Sequence, residues 1–272
     1  MTKLLALSRT ALVVSVVGGA LVGVPSAPSA QPASDVVKLV PGYLAKTDRP
    51  DPLTFLPPPP TPGSADQARD AAAARAALAL RGQARWRIAI SDANLDVSNA
   101  IRTFSCALGV ELTPVRAPKL ATLLRRTITD IGLSTYGAKI KYARARPFTV
   151  DGAATCTPAQ ETALRNDGGY PSGHSAVGWG WALILAEIAP DRADALLARG
   201  RAFGQSRVVC NVHWQSDVDE GRTVAAAVVA RLHGDGQFRS DLDAARAELA
   251  ILRQAGASPD RDCAAEAASL KP

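Results

Sequence analysis

Apolar positions recur along this chain at helical intervals, and nowhere do they alternate with period two for long enough to propose a strand. Ser64 with Gln67 has the form of a capping box, and the segment behind it predicts a helix through Arg81. Residues 86–108 and 115–136 predict two more. Thr157, Pro158 and Gln160 offer an N-cap, an N1 proline and a capping partner for a short helix. The segment 172–189 is apolar nearly all round, which predicts a buried helix at the centre of a bundle. Its Gly178 and Gly180 would let neighbouring helices approach closely. Residues 191–209, 216–233 and 238–255 complete the set. The expectation is an all-α fold, a single-domain helical bundle over 64–256 built around that central helix. Before it, residues 31–63 end in Pro57 to Pro60, Pro62 and Gly63 and read as an extended Pro-rich arm, because successive prolines cannot occupy a helix interior. After it, 257–272 reads as a C-terminal tail tied by Cys263.

Composition narrows the class. Of 272 residues, 47% are hydrophobic and only 5% aromatic, which suits packed helices and excludes a disordered, collagen-like or polytopic membrane chain. Lys3 and Arg9, the charge-free run Ala11 to Val24 and the small residues Ser26 to Ala30 form the pattern of a signal peptide over 1–30, with cleavage between Ala27 and Ala33. That run falls short of the ~20 residues needed to span a bilayer, so a periplasmic or secreted protein is expected, not a membrane one. Cleavage would remove two positive charges and lower the formal charge from +6 to +4. The basic excess suits an anionic ligand, but no stripe of aromatic and basic residues supports nucleic-acid binding. The four cysteines, Cys106, Cys156, Cys210 and Cys263, predict two disulfides in an exported chain, with three pairings open.

Chemistry concentrates around two of the three histidines. Lys139 and Arg146-Pro147 lie seven apart; Pro171-Ser172-Gly173-His174 opens the predicted central helix; Ser206-Arg207 is followed by His213 and Asp217. Lys139, Arg146 and Arg207 offer positive charge, and the guanidinium forks match the oxygens of a phosphate or vanadate. Ser172 and the Gly173 N–H sit where a helix N-terminus favours an anion. Asp217, four residues beyond His213, can accept one ring N–H and leave the other nitrogen as a nucleophile, while His174 serves as a general acid. Such a set can transfer a phosphoryl group without a metal or other cofactor.

Lys-x6-Arg-Pro, Pro-Ser-Gly-His and Ser-Arg-x5-His-x3-Asp together resemble the signature of the phosphatidic acid phosphatase type 2 superfamily. The stretches Gly169–Ser175, Ala154–Thr157, Val209–Asp219, Leu56–Pro60 and Asp92–Leu95 are similar to the bacterial class A non-specific acid phosphatases, a resemblance that spans roughly 40–250. Gly169 and Ser175 depart from the usual Ser and Thr, which bears on substrate preference and not on chemistry. The resemblance implies a helical bundle and a metal-free acid phosphatase with broad phosphomonoester specificity. In it, His213 would form a phosphohistidine, Asp217 hold its ring and His174 act as acid and then base. Lys139, Arg146, Ser172, Gly173 and Arg207 would bind phosphate. It also implies vanadate inhibition, frequent homo-oligomers, phosphotransfer to alcohols in some members, and a Cys156–Cys210 bridge, which leaves Cys106–Cys263 as the second pair.

Blander assignments stand beside these. His233, before Gly234, suits a structural place at a helix C-terminus. Lys141 and Arg144 read as solvated or paired surface charges, Arg125 and Arg126 as cover for exposed helix faces. Trp179 and Trp181 read as core, and Trp214 as an edge of the site. A metal site on His213 and Asp217 has no further ligands in view. Residues 169–173 do not spell the serine-hydrolase elbow. Rival functions are a vanadium-dependent haloperoxidase, a lipid phosphatase and an inactive phosphate-binding protein.

Overall fold

The computed structural model describes residues 39–271; the expected signal peptide and the first part of the arm lie outside the described residues. Among the described residues there are helices and no strand: α1 (Ala65–Leu78), α2 (Ala84–Asp92), α3 (Val97–Thr103), α4 (Ser105–Leu108), α5 (Pro118–Leu133), α6 (Tyr136–Tyr142), α7 (Pro147–Asp151), α8 (Glu161–Arg165), α9 (Gly173–Ile188), α10 (Ala193–Val209), α11 (Gln215–Leu232), α12 (Gly236–Gln254) and α13 (Cys263–Ser269). The fold is all-α.

Local chemistry explains where helices differ from the periodicity. The segment 86–108, expected as one helix, is three. Asn94 accepts from the Asp96 N–H (2.7 Å) and Asp96 from the Ser98 N–H (2.8 Å), so short polar side chains end one helix and start the next. Phe104 then leaves helical geometry (φ −97°, ψ 1°) before α4. The next helix begins at Pro118 and not at Val115, because proline fits the first helical position. Ala117 cannot cap it; Glu248 of α12 does, accepting from the Lys119 and Leu120 N–H groups at 3.0 Å each. Thr157 makes no side-chain cap, and Pro158–Gln160 is a single 3-10 turn leading into α8. The C-terminal tail is partly helical, as α13, with Asp262 capping the Ala265 N–H at 2.9 Å.

α9 is the centre of the molecule. It packs along α10 and α11, with α5 and α12 closing over it. Trp181 is fully buried and donates its indole N–H to Leu124 O on α5 (3.1 Å). Gly178 faces the Phe203 ring of α10 and Gly180 faces Ile131 of α5; a Cβ at either would collide. Gly221 of α11 is pressed against the Ser172 carbonyl, at the head of α9.

The arm is extended only in part, since it makes 3-10 turns at Lys46–Asp48 and Pro52–Thr54. Its anchor is Asp130, fully buried on α5, which accepts from the N–H groups of Tyr43 (2.7 Å) and Leu44 (3.2 Å). Arg126, expected on an exposed face, instead lies over the Tyr43 ring at 3.7 Å and donates to Gly42 O. Farther on, Pro57 O accepts from the Tyr170 hydroxyl (2.6 Å), two residues before Ser172. Cys106 is bonded to Cys263 and Cys156 to Cys210.

Gly221→Ala should destabilise the protein by about 1–3 kcal/mol, because the added methyl meets backbone that cannot rotate away. A urea midpoint equal to wild type would show that α9 and α11 can separate at no cost.

Candidate active site

Three helix ends converge: the C-terminal end of α6 with the following residues to Arg146, the N-terminus of α9, and the turn between α10 and α11 that carries His213. That turn is tied on several sides. Asn211 adopts a left-handed conformation (φ 60°), and its amide donates to Asp151 Oδ1 and Ala153 O, each at 3.1 Å. Trp214 is buried and donates its indole N–H to Ala145 O (2.8 Å), so it props the turn from behind and does not edge the site.

His213 Nδ1 lies 3.2 Å from Asp217 Oδ2, an oxygen that also accepts from the Trp214 N–H (2.9 Å). A carboxylate can only accept, which assigns the proton to Nδ1 and the lone pair to Nε2. Arg146 Nη1 lies 2.9 Å from that Nε2. Burial pushes the Asp217 carboxyl up to about 6, and Arg144 beside it pulls the other way. Arg144 is therefore no surface charge. Its side chain is almost buried, donates to the second oxygen of Asp217, and also reaches Ser216 Oγ (2.7 Å), Gln67 Oε1 (2.9 Å) and Asp70 Oδ2 (2.7 Å). Ser64 does cap α1 through the Gln67 N–H, but the Gln67 side chain braces Arg144 and does not close a capping box.

His174 is pinned from α2: its Nε2 donates to Ala93 O at 3.1 Å, which leaves Nδ1 as its second functional nitrogen. Burial, then the Arg207 charge and those of Arg146 and Lys139, hold its pKa well below the ordinary histidine value. Burial and the same three cations depress His213 as well. Ser172 caps α9, its hydroxyl oxygen accepting from the N–H and O–H of Ser175 (3.2 and 2.8 Å), so its own proton is left to donate. Gly173 opens the helix, where first-turn N–H groups lack helical partners.

The deciding observation is Arg207. It is fully buried, and Nε, Nη1 and Nη2 all lack a hydrogen-bond partner among the described residues. Burial, with the like charge of Arg146, lowers its pKa to about 9. Buried guanidinium groups are otherwise paired, because an unsatisfied buried donor costs roughly 1–3 kcal/mol and a charged one more. A site with this donor set fits a tetrahedral oxyanion.

Lys139, Arg146, Gly173, His174 and His213 line one cavity of about 200 Å³, with Leu95, Ile128 and Val177 among its apolar walls. Ser172, Arg207 and Asp217 are fully buried and do not line it. Two acidic residues that the motifs do not mark belong to the surroundings. Asp167 lines the cavity, and Asp70 holds Arg144. His233, by contrast, pairs with Glu187 (3.1 Å) far from this set and packs on Phe238.

Residues 120–240 match the family model of the PAP2 superfamily. The chain is 42% identical to an acid phosphatase of Zymomonas mobilis over 77% of its length and 80% of the relative's. It is 43% identical to a non-specific acid phosphatase of Providencia stuartii, covering 78% and 86% of the two chains. A non-specific acid phosphatase of Salmonella typhimurium is 42% identical over 72% and 78%. The chain belongs to the non-specific acid phosphatases of the PAP2 superfamily. In this acid phosphatase family member, α9 supplies the helix N-terminus at Gly173 and His174, and α11 the carboxylate behind His213. The Asp92–Leu95 stretch contributes through its backbone, by the Ala93 carbonyl.

Arg144→Met should move the acid limb of kcat/KM upward by about one to three pH units, the size of shift an adjacent opposite charge produces. The sign follows from Asp217: without the guanidinium its pKa rises, and it is neutral over a wider acid range. Arg144→Lys should restore most of the profile. A uniform loss at every pH would reduce Arg144 to a packing role.

Proposed function

We propose that the protein is a periplasmic or secreted acid phosphatase that hydrolyses a broad range of phosphomonoesters through a phosphohistidine on His213. The observation that carries this reading is the Arg207 guanidinium, buried with three donors unpartnered among the described residues, beside two histidines of depressed pKa. Lys139, Arg146, Arg207, the Ser172 hydroxyl and the Gly173 N–H bind the phosphoryl oxygens. One of those oxygens takes over Arg146 Nη1, releasing the Nε2 lone pair of His213. Nε2 attacks phosphorus, the P–N bond forms, the ester P–O bond breaks, and His174 passes a proton to the leaving oxygen. In the second half His174 takes a proton from water as its oxygen attacks phosphorus, the P–N bond breaks, and phosphate leaves. Asp217 stabilises the ring while it carries positive charge. An alcohol in place of water receives the phosphoryl group by the same path.

Side-chain cations supply the charge that a metal would otherwise provide. Among the described residues no three His, Cys, Asp or Glu side chains cluster so as to hold a metal ion. Support for an oxidising compartment comes from the two disulfides. Among the described residues no helix is long and apolar enough to cross a membrane. The acid preference rests on His174. Burial and three cations keep it neutral, and a bound phosphate dianion reverses that field, so protonation and oxyanion binding are linked.

Wild-type protein should release p-nitrophenol from its phosphate ester on the acid side of neutrality. That turnover should resist EDTA, respond to vanadate and vanish in His213→Ala. No turnover by folded wild type would sink the proposal and lead to peroxidase assays with bound vanadate. Binding of sulfate, a tetrahedral dianion that does not itself titrate in this range, should take up protons near pH 6–7, where histidine ordinarily titrates at ~6.5. Calorimetry in two buffers of different ionisation enthalpy measures this, and zero uptake would exclude His174 as the linked acid.

A further inference from the structure

The residues that lead from α8 into α9 bring to the cavity a carboxylate that the phosphoryl-transfer steps do not use. Asp167 Oδ2 lies 3.2 Å from Lys139 Nζ and 2.9 Å from Arg146 Nη2, so one oxygen bridges two of the three cations assigned to the phosphoryl group. The backbone of the same loop holds them too. Gly168 O accepts from Lys139 Nζ (2.5 Å), and Asp167 O from Arg146 Nε (3.0 Å). That backbone is fixed against α6, since a Cβ on Gly168 would collide with the Lys139 carbonyl.

The two sides of this contact differ in freedom. Lys139 and Arg146 are buried, whereas the Asp167 side chain is 34% exposed and lines the cavity. The cations cannot withdraw; the carboxylate can swing toward solvent. Carboxylate and phosphoryl oxygens are both anionic acceptors for the same donors, so they compete for Lys139 and Arg146 and repel one another when both are near.

We propose that Asp167 is a positioning residue: it holds Lys139 and Arg146 in their binding pose, yields them to the phosphoryl group, and so weakens phosphate binding and hastens product release. This rests on the phosphatase reading above. A site with three cations and a helix N-terminus would otherwise hold inorganic phosphate, which is product as well as ligand, against departure.

The test compares wild type, Asp167→Asn and Asp167→Glu at one pH below 7, where Lys139, whose pKa burial lowers to about 8, is charged. Asparagine keeps an acceptor for Arg146 and removes the charge. Inorganic phosphate is titrated by calorimetry, and p-nitrophenyl phosphate gives KM and kcat. Asp167→Asn should bind phosphate about tenfold more tightly, equivalent to about 1.4 kcal/mol, with KM falling in parallel and no gain in kcat. Asp167→Glu should stay within about threefold of wild type. A purely structural role predicts the reverse, with phosphate affinity falling as the two cations loosen. Unchanged or weaker phosphate binding by Asp167→Asn, at a wild-type thermal midpoint, overturns the inference. If asparagine fails to fold, Asp167→Ser carries the same expectation and the same refutation. An active wild type with an unresponsive Asp167→Asn refutes this inference alone. A wild type that neither binds phosphate nor releases p-nitrophenol overturns both.

Discussion

A guanidinium sealed inside a helical bundle, with no hydrogen-bond partner among the described residues, is the constraint on which the rest of this structure depends. Burying an isolated charge costs several kcal/mol even after relaxation. Two features of its position reduce that cost for Arg207. It lies in the last turn of α10, at the helix end that favours a cation, and Asp92 contributes a favourable charge without a direct hydrogen bond. Its own backbone is part of the site, since the Arg207 carbonyl accepts from the N–H groups of Val212 (3.1 Å) and His213 (3.3 Å). The residue with the buried guanidinium therefore also shapes the turn that presents His213, the nucleophile of the proposed reaction. Any oxyanion that pairs with the guanidinium stabilises the native state by mass action.

Around this centre the carboxylates are sorted by position. Asp217 stands behind His213, neutralised by Arg144, which is in turn held by Asp70 on α1. Asp92 is paired with Arg199 (2.6 and 3.2 Å) and accepts from Ser206 Oγ (2.6 Å), while Glu266 of α13 reaches the same arginine. Each buried acid is committed to a cation outside the cavity, which leaves the donors that face the cavity unquenched. Asp167 is the exception, and it stands at the exposed end. Burial first, and then the charges of Arg207, Arg146 and Lys139 that this sorting leaves in place, depress the pKa values of the two histidines.

Much of this was legible in the sequence because phosphoryl chemistry needs several polar groups at fixed local offsets. Lys139 with Arg146, Ser172 with His174, and His213 with Asp217 each fall within one helix end or turn, so spacing along the chain stands in for distance in space. The central helix was legible for a similar reason, since only a fully buried helix is apolar on every face. Arg144 was not. Its role depends on Asp70, 74 residues away, and on an almost buried side chain, neither of which a local pattern records. The docking of the arm on Asp130 and the bracing of Arg144 by Gln67 are long-range in the same way. The break in 86–108 was a different failure: Asn94 and Asp96 carry turn chemistry that the apolar period masked.

Long-range ties also explain how helix ends can form a site precise enough for this chemistry. Phosphoryl transfer depends mostly on positioning, and helix ends and turns are the parts of a bundle most prone to fray. Here each end is fastened from another element. The turn at His213 is held by the Cys156–Cys210 bridge, by Asn211 and by Trp214. The head of α9 is held by Gly221 packing against Ser172 and by the Ser172 N–H donating to Asp217 O (2.8 Å). Tyr170, just before it, is fastened to the arm at Pro57. The arm, the disulfide and the glycine contact lie outside the three signature motifs, yet they supply the rigidity those motifs require.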